Sequence, residues 1–145
     1  MTTKLIIGLD GHGSGERALD YGCNLARLIG DCELVVVYII EWSPYSFQTP
    51  EENAERHKRR DEEISTARDR IIDPAVKRLT DMGLSSTGVV RHGNVADVLN
   101  AIAGEQSADQ IIVARSRERS LSKRIFGGST ANLVMEATIP VTVVG

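Results

Sequence analysis

Residues 34–40 read Leu-Val-Val-Val-Tyr-Ile-Ile, an apolar run that no charged residue interrupts. Three more runs of this kind occupy residues 5–9, 111–114 and 141–144, and a weaker one occupies residues 87–91. Continuous runs rich in β-branched residues are typical of strands that are covered on both faces, as in parallel sheets. The sequence therefore predicts five strands of this covered kind.

Segments with helical periodicity separate the strands. In the first segment the apolar stripe consists of Ala18, Tyr21, Leu25, Leu28 and Ile29. Ser14 is its expected N-cap and Gly30 its expected C-cap. The longest segment spans about residues 51–82 and has a highly charged first half, which indicates a solvated face. It contains Pro74, which we expect to kink or divide the helix.

Two shorter helices complete the pattern. One begins after Asn94, its expected N-cap, with an apolar stripe formed by Val95, Val98, Leu99 and Ile102. The other follows residues 127–130, with Leu133, Val134 and Ala137 expected to face inward. The order β-α-β-α-β-α-β-α-β predicts an α/β fold of three layers with right-handed crossovers. No internal repeat, low-complexity tract or linker divides the chain, so we expect one domain over residues 1–145.

The composition limits the classes of function. The chain has 145 residues, of which 41% are hydrophobic and 26% charged, as expected for a globular protein. Its net charge of −3 argues against a broad nucleic-acid surface, and its longest apolar run is too short to cross a membrane. The N-terminus lacks a signal-peptide pattern. Cys23 and Cys32 form no C-x-x-C motif, and we expect both to be small buried hydrophobes in a cytoplasmic protein.

Ligands of open α/β sheets bind at the carboxyl ends of the strands, so the residues that follow each strand matter most. Asp10-Gly11-His12-Gly13-Ser14 follows the first strand, and Glu41 and Trp42 follow the second. An aspartate in the position of Asp10 can accept hydrogen bonds from a ribose or hold a divalent metal, or it can cap the next helix. The stretch 41–50 is rich in aromatic residues and proline, and it can pack on the sheet edge or form a lid.

The segment after the fourth strand, residues 115–124, carries the strongest signal. It contains five Lys or Arg residues and one Glu, a net charge of +4, which leaves −7 for the rest of the chain. It leads to Gly127-Gly128-Ser129-Thr130 at a predicted helix start, where free N–H groups and the helix dipole favour an anion. The alternative is a solvated basic loop with Ser129 as an ordinary N-cap.

Four segments, taken in their order along the chain, resemble segments of the universal stress protein family. Leu9-Asp10-Gly11 is similar to the Asp-Gly-Ser turn of that family, with His12 in place of the serine, and His92-Gly93-Asn94-Val95 is similar to its Gly-Asp-Pro helix start. The segments 108–113 and 139–144 resemble its fourth and last strands. The resemblance covers essentially the whole chain. It implies a five-stranded parallel sheet of order 3-2-1-4-5 and a homodimer that pairs through the apolar last strand, at the sheet edge.

One branch of the family binds ATP through the motif G-x-x-G-x9-G-S/T. Counted back from Pro140, the matching positions are Ala114, Arg117, Gly127 and Gly128, with Ser129 next to the position of the Ser or Thr. The resemblance implies that Asp10 and Gly11 face the ribose or a metal and that Ile39 offers its backbone to adenine. It implies that Ala114, Arg115 and Arg117 border the phosphates and that Gly127, Gly128, Ser129 and Thr130 hold them. The Arg117 side chain can block the phosphates or bind them.

The resemblance thus predicts a regulatory module that binds ATP or AMP, with Mg²⁺ or Mn²⁺ at Asp10. The alternative, which Arg117 and Gly128 favour, is a dimeric stress protein that acts through protein contacts without nucleotide. An adenylating enzyme on a related fold is a third hypothesis, but residues 10–14 match neither of the loops that such enzymes use. The sequence shows no catalytic triad, metal-ligand cluster or P-loop, so we expect at most slow hydrolysis of ATP.

Overall fold

A computed structural model of the protein describes residues 1–10, 13–41, 49–115 and 128–145. Within these ranges the strands are β1 (Thr3–Leu9), β2 (Cys32–Glu41), β3 (Ser85–Gly93), β4 (Gln110–Ala114) and β5 (Val141–Val144). The helices are α1 (Gly13–Ile29), α2 (Pro50–Ala67), α3 (Asp73–Asp81), α4 (Val95–Gln106) and α5 (Gly128–Glu136). A π-helical turn, Arg68–Ile72, joins α2 to α3.

The strands form one parallel sheet in the order β3-β2-β1-β4-β5. One core lies between the sheet and the helices α1 to α3, and a second lies between the other face and the helices α4 and α5. Ile7 and Ile6, which are neighbours in β1, point into different cores and are both fully buried. The predicted three-layer fold and the strand order 3-2-1-4-5 are confirmed.

The buried face of α1 matches the predicted stripe only in part, since Ala18 is fully buried and Leu25 half-buried. Tyr21, Leu28 and Ile29 of the predicted stripe are 40%, 84% and 39% exposed. The rest of the buried face carries Leu19 and smaller residues such as Cys23 and Gly22. A Cβ atom at Gly22 would lie 2.4 Å from Cδ1 of Ile7, so the glycine lets α1 pack on the sheet without displacing the Ile7 side chain.

The observed ends of α1 can be compared with its predicted N-cap and C-cap. The helix begins at Gly13, so Ser14 lies inside it and the prediction that Ser14 is the N-cap is wrong. Gly30 follows the last helical residue with φ +89, a left-handed conformation that glycine adopts without strain.

Cys23 and Cys32 are both free and buried, as predicted.

The long charged segment is divided before Pro74, as predicted. In the π-helical turn the backbone N–H of Asp73 donates to the carbonyl of Arg68, five residues earlier. Pro74 then stands in the first turn of α3, where its missing N–H costs no hydrogen bond. The turn packs closely on β3, because a Cβ atom at Gly88 would lie only 2.2 Å from Cγ2 of Ile72.

On the other face of the sheet, α4 follows its prediction more closely than α5 does. Leu99 and Ile102 are buried, and the Asn94 side chain accepts a hydrogen bond from the Asp97 N–H at 3.1 Å, which confirms the cap. In α5, Leu133 is fully buried, but Val134 is 53% exposed, so its predicted inward position is wrong. Adjacent helical residues point about 100° apart, and only one side of α5 faces the core.

None of the helices in the described ranges meets the length and apolarity of a membrane span.

Candidate functional site

The strand order places the topological switch point between β1 and β4. From β1 the chain proceeds outward to β2 and β3, and it then crosses back to β4 and β5 on the other side. In open α/β sheets the crevice at such a point, outside the carboxyl ends of the strands, is where ligands bind. Asp10 directly follows β1 and Arg115 directly follows β4, so these two residues flank the crevice.

Strand β2 forms a wall of this crevice because it is longer than β1. The pairing of β1 with β2 ends at Leu9 and Tyr38, whereas the pairing of β2 with β3 continues to Glu41 and Gly93. Residues 39–41 therefore extend beyond β1. The Ile39 side chain is only 8% exposed and packs in the core on the α4 side. The burial of its side chain leaves only the backbone of Ile39 open to the crevice.

Asp10 shapes the turn that opens α1. Its Oδ1 accepts a hydrogen bond from the backbone N–H of Gly15 at 3.1 Å, which is the capping role considered from the sequence. A Cβ atom at Gly15 would lie 3.3 Å from the same oxygen, so a glycine there leaves the carboxylate room. Asp10 itself remains exposed. Gly11, another predicted site residue, lies outside the described residues.

Arg17, which the sequence analysis did not single out, fixes the chain where it leaves β4. Its Nη2 donates to the backbone carbonyl of Arg115, and the N–H of Arg115 donates to the Val144 carbonyl at 2.8 Å. The backbone of Arg115 is thus bound to α1 through its carbonyl and to β5 through its N–H. The Arg17 Nε is buried and has no hydrogen-bond partner among the described residues. Its contact spans 98 residues, so no local pattern could have revealed it.

The start of α5 also lies at the carboxyl ends of the strands and has the features of an anion site. Gly128 is exposed with φ +57, and the space where its Cβ would be is open to 4 Å. Ser129 and Thr130 are half-buried in the first turn of α5. The Ser129 hydroxyl donates to Oε1 of Glu41 at 3.4 Å, which joins α5 to the end of β2. Free N–H groups at a helix start bind anions, and the missing Cβ lets a phosphate approach the backbone.

The predicted site residues therefore divide into two groups. Asp10, Ile39, Ala114, Arg115, Gly128, Ser129 and Thr130 are brought to one edge of the sheet. Arg117 and Gly127 lie outside the described residues, as do most of the basic segment 115–124 and of the stretch 41–50. Within the described ranges, no three His, Cys, Asp or Glu side chains are grouped as metal ligands.

A groove of about 370 Å³ adjoins the crevice on the α1 side. It begins at Leu9 and Gly15 and runs between α1 and α3, past Pro74. Arg78 crosses it, with ion pairs to Glu16 at 3.0 Å and to Asp20. Apolar and charged side chains both line the groove, and two of its charged groups, Glu16 and Arg78, pair with each other.

A parallel sheet of this order, with helices packed on both of its faces, defines a doubly wound α/β protein. The family model for the universal stress protein family matches residues 1–145. The chain belongs to that family.

The comparisons with individual proteins agree on the family and the fold. A curated relative, universal stress protein G from Salmonella typhimurium, is 38% identical over 55 residues, a match that spans 38% of this chain and 38% of that protein. Universal stress protein UspA from Lactobacillus plantarum superposes with a TM-score of 0.78 at 18% identity, over 99% of this chain and 97% of that one.

Two similar solved structures contain a nucleotide. A universal stress protein in complex with cAMP has a TM-score of 0.65 at 20% identity, over 99% of this chain and 96% of that one. A family member from Arabidopsis thaliana with AMP bound has a TM-score of 0.65 at 16% identity, over 98% of this chain and 90% of that one. At these identities the superpositions establish the fold alone.

Proposed function

We propose that residues 1–145 form one universal stress protein domain that binds an adenine nucleotide, ATP or AMP, as a regulatory ligand in the cytoplasm. The observation that carries the proposal is the crevice at the switch point. There, Asp10 and Arg115 flank an opening beside the overhanging end of β2 and the start of α5. The AMP and cAMP complexes of similar structures support adenine nucleotides as the ligand class.

The residues present fit such a ligand. The open, left-handed Gly128 and the first turn of α5 suit a phosphate, with Ser129 and Thr130 as further donors. Asp10 suits ribose hydroxyls or a Mg²⁺ or Mn²⁺ ion that arrives with the phosphates, because such ions keep several water ligands and need few carboxylates. The backbone of Ile39 is available to the base. Slow hydrolysis of ATP is the most chemistry that we propose for this set.

A thermal-shift titration tests the proposal. A nucleotide that binds only the folded state at about 100 times its Kd stabilises it by about 2.7 kcal/mol. For a chain of this size we therefore expect the melting temperature to rise by roughly 5–10 °C. AMP, cAMP and ATP with and without Mg²⁺ are compared with GMP, which tests the base. If no adenine nucleotide shifts the melting temperature at millimolar concentration, the proposal is wrong.

Asp10→Asn separates a ligand role of Asp10 from its structural role. Asparagine keeps an oxygen that accepts the Gly15 N–H, and we expect nucleotide affinity to fall; the melting temperature without ligand, measured in parallel, reports any structural loss separately. The matched control is Asp109→Asn, at the end of the sheet where the strands begin. There Asp109 accepts the Lys4 backbone N–H at 2.9 Å, and the same change should leave affinity unaffected. Equal affinities of the Asp10→Asn variant and the wild type would remove Asp10 from the site.

A stress protein that acts through protein contacts without nucleotide is the second candidate. The observation in its favour is exposed apolar surface on α1 and β5. Leu28 and Tyr21 of α1 and Val143 of β5 are 84%, 40% and 40% exposed. An apolar edge strand is a natural pairing site, so we propose that β5 mediates a homodimer in either case. A strictly monomeric mass at all concentrations in sedimentation equilibrium would contradict the dimer and leave nucleotide binding unaffected.

A further inference from the structure

Glu41 places a carboxylate at the start of α5. It is the last residue of β2, it is exposed, and its Oε1 accepts the hydrogen bond from the Ser129 hydroxyl at 3.4 Å. Ser129 belongs to the first turn of α5, where N–H groups lack partners within the helix. The position that favours a ligand phosphate is therefore bordered by a negative side chain of the protein itself.

The charge of Glu41 is not offset by an ion pair within the described ranges. Glu33, at the other end of the same strand, does form one, with Lys4 at 3.6 Å. A carboxylate without a cationic partner interacts with its surroundings mainly through its negative charge. A phosphate that enters beside Ser129 must displace Glu41 from the hydroxyl or lie next to it, and in both cases two like charges approach each other.

We propose that Glu41 determines which adenine nucleotides the site accepts, by disfavouring ligands with more negative charge at the phosphate end. The inference rests on the proposed function. Repulsion from one carboxylate grows with the charge placed beside it, so it weakens ATP most, AMP less and cAMP least. Adenosine has no phosphate and is unaffected. The preferred ligands are thus nucleotides with a single phosphate, either free or as a cyclic diester.

Glu41→Gln tests this inference by removing the charge while keeping an oxygen that accepts the Ser129 hydroxyl. Calorimetry without Mg²⁺ gives the Kd values of adenosine, cAMP, AMP and ATP for both proteins. We expect the Kd of ATP to fall about 10-fold in the variant, which corresponds to about 1.4 kcal/mol. The Kd of AMP should fall less and that of adenosine should not change. Added salt should reduce the difference between the two proteins.

Glu33→Gln is the matched control. It is the same substitution on the same strand, about 26 Å from Glu41 at the rise of a β-strand, which is well beyond the screening length. We expect it to leave the ratio of the ATP and AMP affinities unchanged. An equal rise of that ratio in both variants would mean that overall charge, and not Glu41, sets the preference, and the inference would be wrong.

Two other outcomes separate the inference from the proposed function. If the wild type binds nucleotides and Glu41→Gln has the same ratio of ATP to AMP affinity, the inference is wrong and the function stands. If the variant loses affinity for adenosine as well, Glu41 contacts the nucleoside, and the inference is again wrong. If neither protein binds any adenine compound, the proposed function fails, and the inference fails with it.

Discussion

Gly88→Ala probes the close contact between the π-helical turn and strand β3. An added Cβ would lie 2.2 Å from Cγ2 of Ile72 and 3.2 Å from Cγ2 of Val76. Ordinary van der Waals contact begins at 3.4 Å. The first distance must therefore grow by about 1.2 Å, the difference between these two values. The Ile72 methyl is bonded to its Cβ next to the backbone, and the side chain is 1% exposed, so the π-helical turn itself has to move.

The expected cost follows from two opposing terms. Overpacking a close-packed core costs about 1–3 kcal/mol, and a clash this short belongs at the upper end. Replacing a glycine inside a strand returns about 0.5–1 kcal/mol of backbone entropy. We therefore expect Gly88→Ala to lower the free energy of unfolding by about 2 kcal/mol, with a fall in melting temperature of roughly 4–8 °C.

Urea unfolding followed by circular dichroism measures this loss, and Gly104→Ala is the matched control. Gly104 lies in α4 with nothing within 4 Å of its added Cβ, so the control should stabilise the protein by about 0.5–1 kcal/mol. Ile72→Ala removes the obstructing methyl, and its cost should be at least 1 kcal/mol smaller in the Gly88→Ala background. A Gly88→Ala protein as stable as wild type, with additive effects in the double variant, would refute the reasoning.

Three further predictions concern charges and thiols. Arg78→Gln, which breaks the ion pairs with both carboxylate partners on α1, should cost about 1 kcal/mol in urea unfolding, and less at high salt. The hydrogen bond from Arg91 lowers the pKa of Glu105, so this pair stabilises the fold above the ordinary glutamate pKa. Its contribution is lost as the pH falls through the lowered pKa. The free energy of unfolding of Glu105→Gln should therefore equal that of the wild type only in acid. Burial raises the pKa of the Cys23 and Cys32 thiols, so iodoacetamide should label both only after unfolding, and rapid labelling of the native protein would contradict their burial.

The strands could be predicted wherever both faces of the sheet are covered. Residues 34–40 lie in β2, between β1 and β3, and helices cover both of its faces, so every position is apolar. Strand β3 was harder, because it is an edge strand and its first half reads Ser-Ser-Thr-Gly. Only residues 87–91 carried the signal, while the strand runs from Ser85 to Gly93. An edge strand has fewer positions that must be apolar, although β5, the other edge strand, is apolar enough that its run 141–144 predicted it in full.

The apolar pattern of α1 was ambiguous because the helix has two apolar faces. The larger side chains, among them Leu28, gave the stronger periodic signal, but the smaller ones around Gly22 are buried. Close approach of a helix to a sheet favours small side chains, and the contact between Gly22 and Ile7 makes this explicit. Hydrophobicity alone cannot distinguish a face that needs small residues from a face that is apolar and exposed.

The candidate site has a local part and a topological part. The glycine and hydroxyl residues at 127–130 follow one another in the chain, so their chemistry was visible in the sequence. The contacts of Arg17 with Arg115 and of Ser129 with Glu41 join residues 98 and 88 positions apart, and only the strand order brings them together. These distant contacts hold the backbone of Arg115 and place a carboxylate beside the first turn of α5.

The negative charge changes the meaning of the basic segment 115–124. Its net charge of +4 predicted that an anion is attracted to this edge, without a limit on how much charge the anion carries. Under our proposal Glu41 sets such a limit, since its carboxylate already accepts the hydrogen bond of the Ser129 hydroxyl at the start of α5. The predicted attraction by the basic segment and the proposed repulsion by Glu41 act on the same ligand. Together they favour an anion that enters the crevice but places little charge beside Ser129, and this is the combination that the comparison of cAMP, AMP and ATP measures.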